Sequence, residues 1–316
     1  MINYCFGVDL GGTSIKFGIL DINKDELIEK WSNETSKIKT NKDFQLLIEN
    51  EYKKFSSRYP LKKVIVIGVP GPVNPLINSV DILPNIIWDT YKPEDFSLKD
   101  NTKVKIILHN DANLAAFGEY WKRKKLFSSE TSLALVTIGT GLGCGLIMND
   151  EIITGTSGYA GELGHLYIPN KYNFKCKCGN IGCLETICSA QGLRNILNYL
   201  YETKVDSSDY EQLINSSAEE LFAIANDGHP VASEVIDIFI KTLGIALVNI
   251  CSVINPSIIL IGGGISLSFN NFSDKLQQSF KVHAMANVKN TPIKQAILAE
   301  QAGIYGACYY GNKINL

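Results

Sequence analysis

Three observations predict an α/β protein of two domains. Strand-like and helix-like stretches alternate along the whole chain. Its 316 residues, 45% of them hydrophobic, are more than one core usually accommodates. An apolar strand, a glycine–threonine turn and a second apolar strand occur twice, around "GVDLGGTSIKFGIL" at Gly7–Leu20 and around "GTGLGCGLIMN" at Gly139–Asn149.

Residues Tyr4–Asp9, Ile15–Leu20 and Glu26–Trp31 read as three short strands joined by tight turns, an antiparallel meander. Phe44, Leu47, Ile48, Tyr52 and Phe55 recur at helical spacing within Asp43–Ser57. The run "VIVIGV" at Val64–Val69 is a buried strand, stopped by "PGPVNP". Val104–Leu108 is a further strand, and a helix with the body "ANLAAFGEYW" starts at Asn110 or Asp111. Strands follow at Leu133–Ile138 and Gly145–Met148, then at Ile258–Ile261, which runs into Gly262–Gly264 and a helical pattern at Phe272–Phe280. The last helix is expected at Ala296–Tyr310, and the polar stretch Thr203–Ala218 as a surface excursion. The domain boundary is expected just after Asp111. This gives a first domain of 1–112, completed by the C-terminal helix at about 296–316, and a larger second one of 113–295.

Thirty basic and 32 acidic residues leave a net charge of -2, which supplies no electrostatic case for nucleic acid or an anionic membrane as partner. No apolar run approaches the roughly 20 residues that span a bilayer, and "MINYCFGVDL" lacks the pattern of a signal peptide, so a cytoplasmic protein is expected. Eight cysteines there are expected as reduced thiols or metal ligands. Cys5, Cys144, Cys188, Cys251 and Cys308 sit in apolar surroundings and read as small core residues, whereas three others crowd into Cys176–Cys183. His109, His229 and His283 carry no motif and are expected in ordinary polar or surface roles.

"DLGGTSIK" is neither a dinucleotide fingerprint nor a Walker loop, because both of those open a helix after the glycines. Here a β-branched, alternating stretch follows, so Gly11-Gly12 is a hairpin turn. Glycines let backbone N–H groups approach an anion, Thr13 adds a hydroxyl, and Asp9 is placed to face a metal ion through water. Gly139, Thr140 and Gly141 repeat the arrangement, and Gly263 and Gly264 form a third glycine turn, suited to lie against adenine or ribose. Each alone is common punctuation. Three of them, each after a buried strand, point to the phosphates of one nucleotide held from two domains.

The motifs "VDLGGTSIKFGI", "GVPGPV", "NDANLAAFGE", "GTGLGCGLI", "GELGH" and "CKCGNIGCLE" occur in the order of the ROK family of repressors, open reading frames and sugar kinases, which the chain resembles from Gly7 to Gly306. The resemblance implies the actin-like (ribonuclease H-like) ATPase fold, mixed sheets flanked by helices with a cleft between two domains. It also implies ATP and Mg²⁺ as cofactors, and transfer of phosphate to the 6-hydroxyl of a hexose. Asp111 alone reads first as a helix cap; by resemblance it is the general base. Asn85, Asn110, Asp111, Glu162, His165 and Glu185 resemble the family's sugar-contacting set. Lys16 has two readings, assistance with phosphate charge or an exposed strand residue, and the second is preferred.

His165, Cys176, Cys178 and Cys183 offer one imidazole and three thiolates, the closed donor set of a structural Zn²⁺, with a C-x-C pair tighter than in common zinc fingers. The zinc is expected to pin the loop carrying Glu162 and Glu185, with His165 serving metal and sugar through its two nitrogens. The partners expected are a small-molecule sugar and ATP, and, by resemblance, further copies of the chain in a dimer or tetramer. A sugar-responsive repressor of the same family is the alternative from another class. Its helix-turn-helix would precede the ATPase-like body, and the first phosphate motif here begins at Gly7. Within the family, glucose is the first expectation and N-acetylmannosamine the second. Asn85 stands where the fructokinase branch tends to carry Lys, and Tyr159 where a His or small residue is frequent.

Overall fold

The computed structural model describes residues 3–83, 86–88, 90–126, 132–203 and 210–314. The N-terminal meander is β1 (Tyr4–Leu10), β2 (Ser14–Asp21) and β3 (Glu26–Glu34), followed by helix α1 (Asn41–Ser56) and strand β4 (Leu61–Val69). A small hairpin of β5 (Val73–Asn74) and β6 (Ser79–Val80) comes next, then β7 (Phe96–Ser97) and β8 (Lys103–Asn110), which leads directly into helix α2 (Asp111–Leu126). The first sheet has the order β3-β2-β1-β4-β8-β7. Its β1, β4 and β8 run parallel, and the pairs β1–β2, β2–β3 and β7–β8 are antiparallel.

Helix α1 forms where its apolar residues recur three to four apart, and it buries Phe44, Ile48, Tyr52 and Phe55. Thr40 and Asp43 cap it reciprocally. Its buried face meets the sheet in an aromatic cluster, with Phe6 edge-on to Tyr52 at 5.6 Å and Phe17 stacked on Trp31 at 5.3 Å. The other sheet face carries Val64 and Val66 against Leu114 of α2 and Ala307 of the C-terminal helix.

The second half opens with β9 (Ser132–Ile138), β10 (Leu142–Met148) and β11 (Glu151–Ile152), followed by helices α3 (Ala190–Thr203), α4 (Tyr210–Asn215), α5 (Ala218–Asn226) and α6 (Pro230–Ile254). Strand β12 (Ile258–Gly262), helix α7 (Phe269–His283), strand β13 (Ile293–Gln295) and helix α8 (Ala302–Lys313) complete the chain. The second sheet has the order β11-β10-β9-β12-β13, with β12 parallel to both β9 and β13. Numbered within each half, both sheets therefore place their first five ordered strands as third, second, first, fourth, fifth, leaving aside the β5–β6 hairpin and the edge strand β7. The weak repeat in the sequence is a repeat of topology.

Two compact units result. One comprises Met1–Glu130, Gly145–Gly161 and Leu298–Leu316, and the other Thr131–Cys144 and Glu162–Ile297. A division at 112/113 would cut α2 after its first residues. The structure keeps that helix whole in the first unit because it packs on α8, where Gly118 and Gly306 let the two backbones approach.

Several elements differ from their sequence readings. The last helix begins at Ala302 rather than Ala296, because Ala299 has φ +47°, outside the right-handed helix, and residues Ile293–Gln295 are a strand. Of the stretch Thr203–Ala218, residues 204–209 lie outside the described residues, and Tyr210–Asn215 is a short helix with Leu213 buried. Helix α6 had no forecast. It is 25 residues long and apolar enough by length and composition to cross a membrane. In the structure it is the central helix of the second unit, with Phe239 packed on Phe222 and Phe272 at ring separations of 5.7 and 5.9 Å.

Candidate functional site

In the first unit the parallel strands β1, β4 and β8 end side by side, the position where open α/β sheets present ligand-binding residues. Asp9 lies across from Lys16 on β2 and beside Gly68 on β4. A Cβ on Gly68 would sit 3.4 Å from Oδ1 of Asp9 and 3.6 Å from Cα of Asp111, so this glycine lies between the two aspartates. Gly303 is closer still to the Asp9 carboxylate: a Cβ placed there would stand 3.0 Å from its Cγ. Burial pushes the Asp9 carboxyl up from its ordinary value, and Lys16 opposes the shift. Lys16 is half-buried opposite Asp9 rather than a plain exposed strand residue, and its Nζ donates to the Glu300 carbonyl at 3.4 Å.

The helix cap after β8 is Asn110. Its Oδ1 accepts from the Asn113 N–H at 3.1 Å, the N-cap bond, and its Nδ2 donates to the Gly71 carbonyl at 3.0 Å. Asp111 is therefore the first helical residue, half-buried, with Oδ1 accepting from the Ala112 N–H at 2.7 Å. Its carboxylate also lies in the first turn of α2, where a negative charge suits the helix N-terminus. The neighbouring His109 is buried edge-on to Tyr310 at 4.2 Å instead of lying on the surface, and desolvation lowers its pKa to about 4. Between β1 and β2, Gly12 and Thr13 are exposed at the tip of the hairpin. Asn85 lies outside the described residues.

In the second unit the glycine turns follow two adjacent parallel strands, β9 and β12. Gly263 adopts φ +77°, and a Cβ there would come within 2.5 Å of the Ile138 carbonyl, so only glycine fits. Gly139 and Gly264 face open space among the described residues, and Thr140 is exposed. A Cβ on Gly141 would stand 3.0 Å from Oε2 of Glu185, whose other oxygen, Oε1, accepts from the Cys176 thiol at 3.0 Å. Glu185 thus touches both the glycine turn and the cysteine loop.

That loop folds back through its own backbone. Tyr167 bridges Cys183, Lys175 bridges Ile181, and the Gly179 N–H donates to the Cys176 carbonyl at 3.0 Å. The thiols of Cys178 and Cys183 lie 3.6 Å apart, and Nδ1 of His165 lies 3.7 Å from Sγ of Cys176. All four donor atoms lie within 4.8 Å of one another. Ligands held at about 2.3 Å around a tetrahedral centre are separated by about 3.7 Å, so the set fits a zinc-sized ion. Nε2 of His165 points the other way, 3.9 Å from Oε2 of Glu162. Burial raises the Glu162 carboxyl, with His165 opposing and Glu185 adding to the shift. Cys5, Cys144, Cys188, Cys251 and Cys308 are all buried.

The model of the ROK family matches residues 5–313. The chain belongs to the ROK family. It is 32% identical over 312 residues to a glucokinase of Halalkalibacterium halodurans, covering 95% of this chain and 92% of that protein. An N-acetyl-D-glucosamine kinase of Histophilus somni is 29% identical over 315 residues, 96% of this chain and 97% of its own. Among solved structures, a ROK family glucokinase from Streptomyces griseus in complex with glucose and AMPPNP superposes with a TM-score of 0.73. It is 26% identical and covers 98% of this chain and 100% of the other. The mixed sheets flanked by helices are those of the actin-like ATPase fold shared by the ROK sugar kinases.

The sequence reading missed one residue that holds a candidate turn in place. Thr35, directly after β3, bonds to both Gly11 and Thr13 across 24 and 22 positions of chain. Only the threonine type and the end of a strand marked it, and neither points to a turn so distant in sequence.

Proposed function

We propose that the protein is an ATP-dependent sugar kinase that phosphorylates the 6-hydroxyl of a hexose, glucose first among them. The observation that carries the reading is the meeting of two aspartates at the ends of neighbouring parallel strands: a Cβ on Gly68 of β4 would sit 3.4 Å from Oδ1 of Asp9, at the end of β1, and 3.6 Å from Cα of Asp111, directly after β8. In the proposed reaction Asp111 accepts the hydroxyl proton as the sugar oxygen attacks the γ-phosphorus; the bond from that phosphorus to the β-phosphate oxygen breaks and ADP leaves. Asp9 is assigned to the Mg²⁺ of Mg-ATP through water. Gly11, Gly12, Thr13, Gly139, Thr140 and Gly141 are assigned to its phosphates, and Gly263 and Gly264 to the nucleoside. Asn85, Asn110, Glu162, His165 and Glu185 are assigned to the sugar hydroxyls, each of which needs a directional partner once desolvated.

His165, Cys176, Cys178 and Cys183 would hold a structural Zn²⁺, which supplies cross-linking of the loop and no chemistry on the phosphate. The reading places the enzyme in the cytoplasm as a homo-oligomer, with no nucleic acid or membrane as partner. The 29% identity to an N-acetyl-D-glucosamine kinase favours an N-acetylated amino sugar as the second reading of the acceptor. A coupled ADP-release assay over hexoses and amino-hexoses tests both. Turnover highest on glucose is the expected result, highest on an N-acetyl-hexosamine selects the second reading, and none on any sugar overturns the kinase.

A further inference from the structure

Thr35 grips the β1–β2 turn from one side with two bonds of different kinds. Its N–H donates to the Thr13 carbonyl at 3.0 Å, one step beyond the last β2–β3 pair, Ser14 and Glu34. Its hydroxyl donates to the Gly11 carbonyl at 2.7 Å, a bond that no ladder requires. The residue is 5% exposed, so water does not compete for that hydroxyl. A trans peptide plane sets each carbonyl antiparallel to the N–H that follows it. With the carbonyls of Gly11 and Thr13 drawn towards Thr35, the N–H groups of Gly12 and Ser14 are turned to the opposite side. A Gly-Gly pair has the widest backbone freedom of any dipeptide; the Gly11 N–H donates to the Ser14 carbonyl at 3.0 Å within the hairpin, and Thr35 adds the restraint from outside the turn.

We infer that Thr35 is a positioning residue that fixes the Gly12 amide, at the tip of the β1–β2 turn, towards the phosphates of the nucleotide. The inference rests on the assignment of this turn to ATP. Preorganised donors bind an anion without losing chain entropy at that moment, so removing the restraint weakens nucleotide binding while the sugar residues are untouched.

The test compares Thr35→Val and Thr35→Ala, which lack the hydroxyl, with Thr35→Ser, which keeps it. Loss of one such bond is expected to raise KM for ATP about five- to tenfold. KM for the sugar should stay unchanged, and Thr35→Ser should remain close to wild type. Calorimetric titration with ADP and a non-hydrolysable ATP analogue reads the same change as a Kd, independently of turnover. A wild type that binds ADP and phosphorylates no sugar overturns the kinase reading and leaves the Thr35 comparison intact. Val and Ala variants that fold and bind nucleotide as wild type does overturn the inference. So do equal rises in both KM values, or a Ser variant as weak as the Val one. A wild type that binds no adenine nucleotide overturns it as well. If Thr35→Val does not fold, the Ala and Ser pair still decides.

Discussion

Asp111 and Asp9 differ in what the fold asks of them. Replacing Asp111 by Asn keeps its size and its place in the first turn of α2, and the cap at Asn110 is untouched. In the proposed reaction only proton acceptance is lost, so kcat should fall by about 10²- to 10⁴-fold while sugar binding stays measurable by titration. Near-normal turnover would remove Asp111 from the base role. For Asp9 the fold is unfavourable to the charge itself. Burial raises its carboxyl above the ordinary 3.8, Lys16 only partly offsets this, and Gly303 presses close to its oxygens. An acid raised in the folded state contributes its stability below the unfolded value and loses it as pH rises through the folded one. Asp9→Asn escapes that loss. Its melting temperature should therefore exceed wild type by about a few degrees at pH 7 to 8, with the gap closing towards pH 4. The same variant should lose phosphoryl transfer if Asp9 serves the Mg²⁺ of ATP. A variant less stable than wild type at pH 8 would show that the ionised Asp9 is well solvated or paired.

At the level of elements, the cysteine loop is held by its own backbone bonds and by Tyr172 and Phe174, whose rings lie 4.9 and 6.4 Å from that of Tyr199 on α3. Residues 166–183 make a few backbone bonds, and Cys178 is exposed. The 3-10 turns Leu163–His165 and Leu184–Thr186 flank it and carry Glu162 and Glu185 close by. The Asn180 N–H lowers the Cys178 thiol, whereas burial raises those of Cys176 and Cys183. A bound dication favours all three thiolates and closes the loop, as structural zinc does in small domains. Metal analysis should find close to one zinc per chain, and Cys178→Ser should abolish it and lower the melting temperature. A metal-free chain that is stable and binds sugar normally would exclude the site. The donor set was legible because three thiols and an imidazole stood within 19 residues of one another. Its second partner, Glu185 at Cys176, needed coordinates. Helix α6 was illegible for a different reason: a helix buried on most sides lacks the one-sided apolar stripe that marks a surface helix. Strands β11 and β13, two and three residues long, offer no period to read.

Across the whole molecule, the sequence signal that survived best was the repeat, because glycine punctuation and β-branched runs are local and the two sheets use the same strand order. What the repeat could not convey was which contacts between distant segments support each turn: Thr35 behind Gly11 and Thr13, and Glu185 beside Gly141. In both sheets a turn joins the first strand to the second, at Gly11–Thr13 and at Gly139–Gly141. Whether the second copy handles phosphate or is only a tight hairpin can be decided at Gly139. Its φ lies outside the left-handed region, and a Cβ there meets nothing within 4 Å among the described residues. An alanine is therefore accommodated by the protein itself, and what it would disturb is a ligand that needs the backbone bare. Gly139→Ala should leave the melting temperature within about one degree of wild type, since a compatible Gly→Ala change costs the fold little. It should also raise KM for ATP about tenfold, with KM for the sugar unchanged, as expected for a backbone donor held off its phosphate. Gly263→Ala is the control. Its positive φ and the clash with Ile138 predict a clear loss of stability. If Gly139→Ala is stable and binds ATP normally, the second turn is a hairpin and the repeat is architectural only. If it is stable and binds ATP weakly, both halves of the repeat serve the nucleotide.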